Sequence, residues 1–111
     1  MLGPDVFVSV HHNSSGSPDS NGTETYWTNQ NSYALADSLN SSLVQNMHTI
    51  NRGTQKRDFA VTRLTNAPAA LTEASFITSD AESNAFINLD RVEQEATGLQ
   101  EGLINYFANQ N

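Results

Sequence analysis

The stretch FVSVHHNSSG, Phe7 to Gly16, sets two adjacent histidines at the end of an apolar run and follows them with small polar residues. An imidazole there can ligate a metal, pass a proton or simply finish a strand on a hydrogen bond. Successive side chains of a strand point to opposite faces, so His11 and His12 cannot both address one site while the strand stays regular. His11 shares a face with Ser9 and Phe7, and His12 shares one with Val10 and Val8. A second candidate, Glu73, closes the apolar run AALTE. A carboxylate in that position is costly to bury unless it is paired, bound to metal or used in chemistry. If the two strands run parallel, His11 and Glu73 reach the same rim of the sheet, where open α/β sheets bind ligands. A nitrogen ligand beside a carboxylate is the combination that activates a metal-bound water. Glu24, in GTETYW, is a third candidate: alternation puts it with Tyr26, opposite Thr23, Thr25 and Trp27, where it either lines the same cleft or faces water. Spacing alone describes plain strand termini as well. His48 reads as a surface residue late in a helix, and Asp19 lies in a loop where nothing singles it out.

The elements that must position these groups follow from periodicity. Asp5 to Val10 reads as a buried, parallel-type strand, and NSSGSPDSNG, Asn13 to Gly22, as a surface loop of turn formers. TETYWT, Thr23 to Thr28, reads as a second strand. Asn31 or Ser32 can cap a helix with Leu35, Leu39, Leu43 and Met47 every four residues, widened by Ala36 and Val44 and stopping near Asn51-Arg52-Gly53, where Gly53 can take positive φ. FAVTRL, Phe59 to Leu64, alternates as a third strand would. A turn at Asn66-Ala67-Pro68 then leads to a short fourth strand, Ala69 to Glu73. Ser79 and Glu82 have capping-box spacing before a short helix. A last helix, about Asp90 to Phe107, puts Val92, Ala96, Leu99, Leu103 and Phe107 on one face, with Gly98 and Gly102 weakening it unless they allow close packing. The pattern predicts an α/β fold: a small, mostly parallel sheet of about four strands flanked by three helices.

Length and composition restrict the function classes. The 111 residues, 37% hydrophobic and 15% charged, suit one domain spanning 1–111. Five basic residues against twelve acidic ones give a net charge of −7, which repels nucleic acid and anionic membrane; neither is an expected partner. The absence of cysteine leaves His, Asp and Glu as the strong metal ligands. The N-terminus lacks the flanks of a signal peptide, and no apolar stretch approaches the ~20 residues of a membrane span.

Taken in order, FVSVHHN, GTETYW, SYALADSL, NRG, FAVTRLTNAPAALTEASFITS and QEATGLQEGLINYF resemble the carboxyl-terminal part of a zinc-dependent N-acetylmuramoyl-L-alanine amidase of the amidase 3 type. The resemblance implies hydrolysis, in peptidoglycan, of the amide between N-acetylmuramic acid and the L-alanine of the stem peptide. It assigns the strand-end zinc histidine to His11 of Ser9-Val10-His11-His12-Asn13 and the catalytic glutamate to Glu73 of LTEASF. Ala74-Ser75 departs from the family's more usual Leu-Gly, and Thr72 from a more apolar residue; both changes keep the carboxylate. Family members carry two further zinc ligands upstream of the His11 strand. The chain therefore reads as a truncated, C-terminal portion of the catalytic domain, in which His12, Glu24 or Asp19 substitutes as ligand only by distorting the strand or folding the loop inward. The resemblance implies Zn²⁺ as cofactor, bound weakly or not at all by this portion alone, and an extracellular or cell-wall location, as in autolysins and endolysins. It implies peptidoglycan as partner, with self-association or a complementing N-terminal portion. The alternative is a catalytically incomplete fragment or pseudoenzyme serving as a wall-binding or assembly module.

Overall fold

The computed structural model describes residues 4–87 and 89–110. The elements are β1 (Phe7–Asn13), β2 (Thr23–Trp27), a 3₁₀ turn (Gln30–Ser32), α1 (Tyr33–Met47), β3 (Asn51–Lys56), α2 (Ala60–Arg63), β4 (Ala69–Phe76), α3 (Asp80–Ile87) and α4 (Leu89–Ala108). The four strands form one sheet in the order β1-β4-β2-β3. β1 runs parallel to β4 and β2 parallel to β3, while β2 and β4 meet antiparallel. The sheet is thus mixed but mostly parallel, and its central strand, β4, is the apolar run AALTEASF, buried at seven positions and half-buried at Glu73.

One face of the sheet carries the core. Leu35, Ala36 and Leu39 of α1 pack on Ala70 with Val6, Val8, Trp27 and Tyr106, and Leu43 and Met47 pack on Ala74. These α1 positions are the predicted stripe. The helix ends sooner than expected, at Met47, because His48 takes the left-handed conformation (φ 56°) as C-cap and returns its N–H to Val44.

α4 lies along α1, but its buried face is rotated from the predicted one. Gly98 and Gly102 are buried with Tyr106, whereas Val92 and Phe107 are about half exposed. A Cβ on Gly102 would come within 2.9 Å of Leu39 Cα, and one on Gly98 within 3.0 Å of Leu43 Cα. The two glycines weaken the isolated helix, and here they let the two backbones touch. Ser38 Oγ donates to the Gly102 carbonyl (2.7 Å) across the same seam.

Two expectations are corrected. Phe59–Leu64 is not a strand: Phe59 is extended, but Arg63 N–H bonds to Phe59 O and Leu64 N–H to Ala60 O, closing the single turn of α2. Asn29 Nδ2 reaches the Thr62 and Arg63 carbonyls, so side chains from the β2–α1 connection satisfy the end of that turn. The third strand is instead NRGTQK, which has no apolar residue and is held by pairing with β2. Gly53 does take positive φ (82°), at a bulge where Thr23 pairs Asn51 and Glu24 pairs Gly53, leaving Arg52 over. The second correction concerns Ser79 and Glu82. Ser79 Oγ accepts the Glu82 N–H (3.3 Å), but the Glu82 carboxylate turns away from its own helix and accepts the Gly22 N–H (2.7 Å), so only half of the capping box forms.

Candidate active site

Parallel pairing of β1 with β4 sets His11 opposite Glu73, and antiparallel pairing of β4 with β2 sets Glu73 opposite Glu24. Paired residues on adjacent strands project to the same face. His11, Glu73 and Glu24 therefore form one row across three strands, on the face away from α1. The row brings together the strand-end histidine and the carboxylate singled out by sequence.

His12 and Asp19 do not join this row. His12 turns to the helical side, where its Nε2 lies 2.7 Å from Glu95 Oε1 of α4 and its ring lies 4.7 Å from that of Phe86. Asp19 stays in the exposed loop, its N–H held by Ser17 Oγ. His11 Nε2 is 2.9 Å from Ser9 Oγ, two residues back on the same face.

Glu24 is 4% exposed, so it does not face water. One of its oxygens accepts from Asn13 Nδ2 (2.6 Å) and from the Tyr26 hydroxyl; the other accepts from Arg52 Nε (3.2 Å) and Gln55 Nε2 (2.9 Å). Four donors stabilise the buried charge, and none of the carboxylate's directions is left for a metal at His11. Arg52 reaches it because of the bulge in β3. Sequence reasoning missed Asn13, Arg52 and Gln55; alternation from His11 already put Asn13 on the right face, whereas the bulge had no signal beyond Gly53. The Tyr26 hydroxyl is pushed up to about 12 by its burial, its hydrogen bond to Glu24 and the charges of Glu24 and Glu73, with Asn13 acting the other way.

Glu73 is the opposite case. Its Oε2 is buried and finds no hydrogen-bond partner among the described residues. Burial raises the carboxyl above its ordinary range, His11 pulls it down, Glu24 adds to the rise and His12 opposes it. A half-buried carboxylate with an unpartnered oxygen and a raised pKa is a candidate for proton transfer.

Catalytic zinc takes three protein ligands and a water. No group of three or more His, Asp or Glu side chains among the described residues is arranged to hold a metal. His11 suits one ligand position, with Glu73 beside it; together these residues do not make a zinc site.

The sequence profile of the family described as N-acetylmuramoyl-L-alanine amidase matches residues 2–105. The probable cell wall amidase LytH of Staphylococcus saprophyticus is 34% identical over 107 residues, covering 94% of this chain and 36% of the relative. The N-acetylmuramoyl-L-alanine amidase LytC of Bacillus subtilis is 29% identical, covering 93% and 22%. Among solved structures, the catalytic domain of CwlV, the amidase from Bacillus (Paenibacillus) polymyxa, superposes with a TM-score of 0.89 at 35% identity, over 94% of this chain and 58% of that one. An N-acetylmuramoyl-L-alanine amidase from Clostridium difficile gives 0.91 at 32% identity, over 96% and 60%. The chain spans about a third of the length of the staphylococcal relative and about three fifths of the solved chains.

Proposed function

The chain belongs to the N-acetylmuramoyl-L-alanine amidase family, and from that premise we propose that it acts on peptidoglycan at the cell wall, in hydrolysis of the amide between N-acetylmuramic acid and L-alanine. Glu73 is the general base and acid, taking a proton from the attacking water and delivering one to the departing amine of L-alanine. The observation that carries this reading is the stranded, buried Oε2 of Glu73 in register with His11. A carboxyl whose pKa is raised toward working pH is a better base, and then a better acid, than one at its ordinary value. Such a group contributes ~10²–10⁴-fold to rate.

His11 is the one position here suited to a zinc ligand, and zinc bound there would polarise the amide carbonyl and acidify a water. The rest of the ligand set comes from outside the described residues, in a longer chain or a second subunit; on this reading residues 1–111 are the C-terminal portion of a catalytic domain. Asn13, Arg52 and Gln55 do their part indirectly, by holding the Glu24 carboxylate still beside Glu73.

The lack of a three-ligand cluster among the described residues favours a second reading, a wall-binding or assembly module without turnover. Zinc content and release of stem peptides from purified wall discriminate the two. The protein is assayed alone and with an amidase N-terminal portion supplied in trans or fused. Turnover in the complemented protein, lost ~10²-fold or more in Glu73→Gln and accompanied by loss of zinc in His11→Ala, supports the amidase. Sedimentation with wall, no released peptide and no zinc under any complementation supports the module. Full turnover in Glu73→Gln would remove Glu73 from the mechanism.

A further inference from the structure

Four of the five basic residues fall between Arg52 and Arg63, in a protein of net charge −7. Three of these four have their place. Arg52 pairs with Glu24 and Arg63 with Asp58. Lys56 is in register with Trp27 and lies 5.6 Å from the centroid of its ring, on the face that packs against α1. Arg57 differs from them: it is exposed, and among the described residues its guanidinium bonds to an amide oxygen and a carbonyl but to no carboxylate.

The position of this cation is well determined. Its backbone N–H bonds to the Trp27 carbonyl (2.9 Å), which extends the pairing of β3 with β2 by one residue. Nη2 donates to Gln55 Oε1 (2.6 Å), Nη1 donates to the Lys56 carbonyl (3.1 Å), and Cζ lies 5.7 Å from the centroid of the Tyr26 ring. Tyr26 and Gln55 pair across β2 and β3, and both donate to the Glu24 carboxylate, so both project to the side of the His11–Glu73–Glu24 row. The Gln55 amide therefore holds Glu24 through its nitrogen and the Arg57 guanidinium through its oxygen. These bonds use two of the five guanidinium N–H groups. A cation fixed beforehand, open to solvent and without a counter-charge suits an anionic ligand, and a guanidinium suits a carboxylate best.

The distance to the row limits what that ligand is. Tyr26 stands two residues along β2 from Glu24, about 7 Å, and adjacent strands are about 4.8 Å apart, so Tyr26 is roughly 8 Å from Glu73 in the plane of the sheet. An extended peptide covers that span in about two to three residues. We infer that Arg57 is an anion subsite beside the row, binding a peptide carboxylate carried about two to three residues from the group that lies at Glu73. Assigning that carboxylate to the stem peptide rests on the amidase reading; the binding of a peptide carboxylate at Arg57 does not.

The test titrates the isotope-labelled protein with acetyl-Ala-Glu-amide and acetyl-Ala-Gln-amide, two peptides that differ by one charge, following the Arg57 Nε–H and Gln55 side-chain amide signals by NMR. The Glu peptide is expected to bind about threefold or more tightly than the Gln peptide. Arg57→Gln is expected to abolish that preference and to leave the Gln peptide unchanged. Lys56→Gln removes a neighbouring charge on the opposite face and is expected to preserve the preference. Thermal melts establish that both variants are folded. Binding of neither peptide, equal binding of the two by the parent, a preference that survives Arg57→Gln, or one that Lys56→Gln abolishes as well would overturn the subsite. None of these readouts involves turnover, so a protein that shows the preference but releases no stem peptide keeps the subsite and loses the amidase reading.

Discussion

Replacing Gly102 with alanine tests the packing of α4 on α1 behind the sheet, because two principles predict opposite signs. In an exposed helix interior Gly→Ala stabilises by about 1 kcal/mol. Here the new methyl would lie 2.9 Å from Leu39 Cα, 3.0 Å from Leu39 Cδ2 and 3.2 Å from the Ser38 carbonyl oxygen. Two of these three atoms are backbone, so the clash is relieved only by moving α4 away from α1. Overpacking of this kind costs about 1–3 kcal/mol. Separation also stretches the Ser38 Oγ to Gly102 O hydrogen bond, for a further ~0.5–1.5 kcal/mol. Against the propensity gain, the net is a loss of about 0.5–3.5 kcal/mol, a fall in Tm of roughly 2–25 °C. Circular dichroism melts and urea titrations at neutral pH read it directly, with the exposed Gln100→Ala on the same helix as a control, expected to stay within about 0.5 kcal/mol of the parent. Gly98→Ala should behave alike, and the double variant should lose less than the sum, because a helix already displaced at one contact no longer meets the other. A Gly102→Ala protein that melts at or above the parent temperature would refute the close-contact account of this seam.

Three further outcomes follow from the buried polar groups. The Glu73 carboxyl is raised in the folded chain, so the folded state binds more protons than the unfolded one between the unfolded and folded pKa values; stability from this group is present below the unfolded pKa and is lost as pH rises through the folded one. Glu73→Gln is therefore expected to be more stable than the parent at pH 7, with the difference vanishing at acid pH in denaturant titrations across pH. Tyr26, pushed up to about 12, should ionise late in an ultraviolet titration, its stabilising contribution falling as pH rises from 10 toward 12, and Glu24→Gln should lower its midpoint. Thr72 is 1% exposed with a hydroxyl that has no partner among the described residues, so the isosteric Thr72→Val should match or exceed parent stability by up to about 1 kcal/mol, measured by urea unfolding.

The elements that bury an apolar pattern were legible in the chain. The four-residue spacing of Leu35, Leu39, Leu43 and Met47 identified α1, and the apolar runs ending at His11 and Glu73 identified the two strands that meet. Elements held by pairing or by side-chain caps were not. NRGTQK has no apolar residue to reveal β3, and FAVTRL alternates like a strand while Thr28 and Asn29 hold it as a turn of helix. Strand direction was equally hidden, because a period of two is the same read forwards or backwards; the antiparallel seam between β2 and β4 has no signature in the sequence. For the candidate site, alternation allowed only one of His11 and His12 to face it and the family resemblance chose His11, while Glu73 stood out as a charge closing an apolar strand. Glu24 could not be decided that way, since its burial depends on Arg52 and Gln55, delivered from β3 by a bulge.

The central position of β4 has a consequence for when the row of His11, Glu73 and Glu24 can first form. β2, α1 and β3 are consecutive in sequence and can assemble as a local unit, but His11 meets Glu73 only after a loop of about sixty residues has closed. Such long-range closures are slow because their entropy is lost before any contact repays it. Until β1 and β2 have both docked on β4, His11, Glu73 and Glu24 are three unrelated side chains on a moving polymer. A nascent or half-folded chain therefore has no assembled row of His11, Glu73 and Glu24.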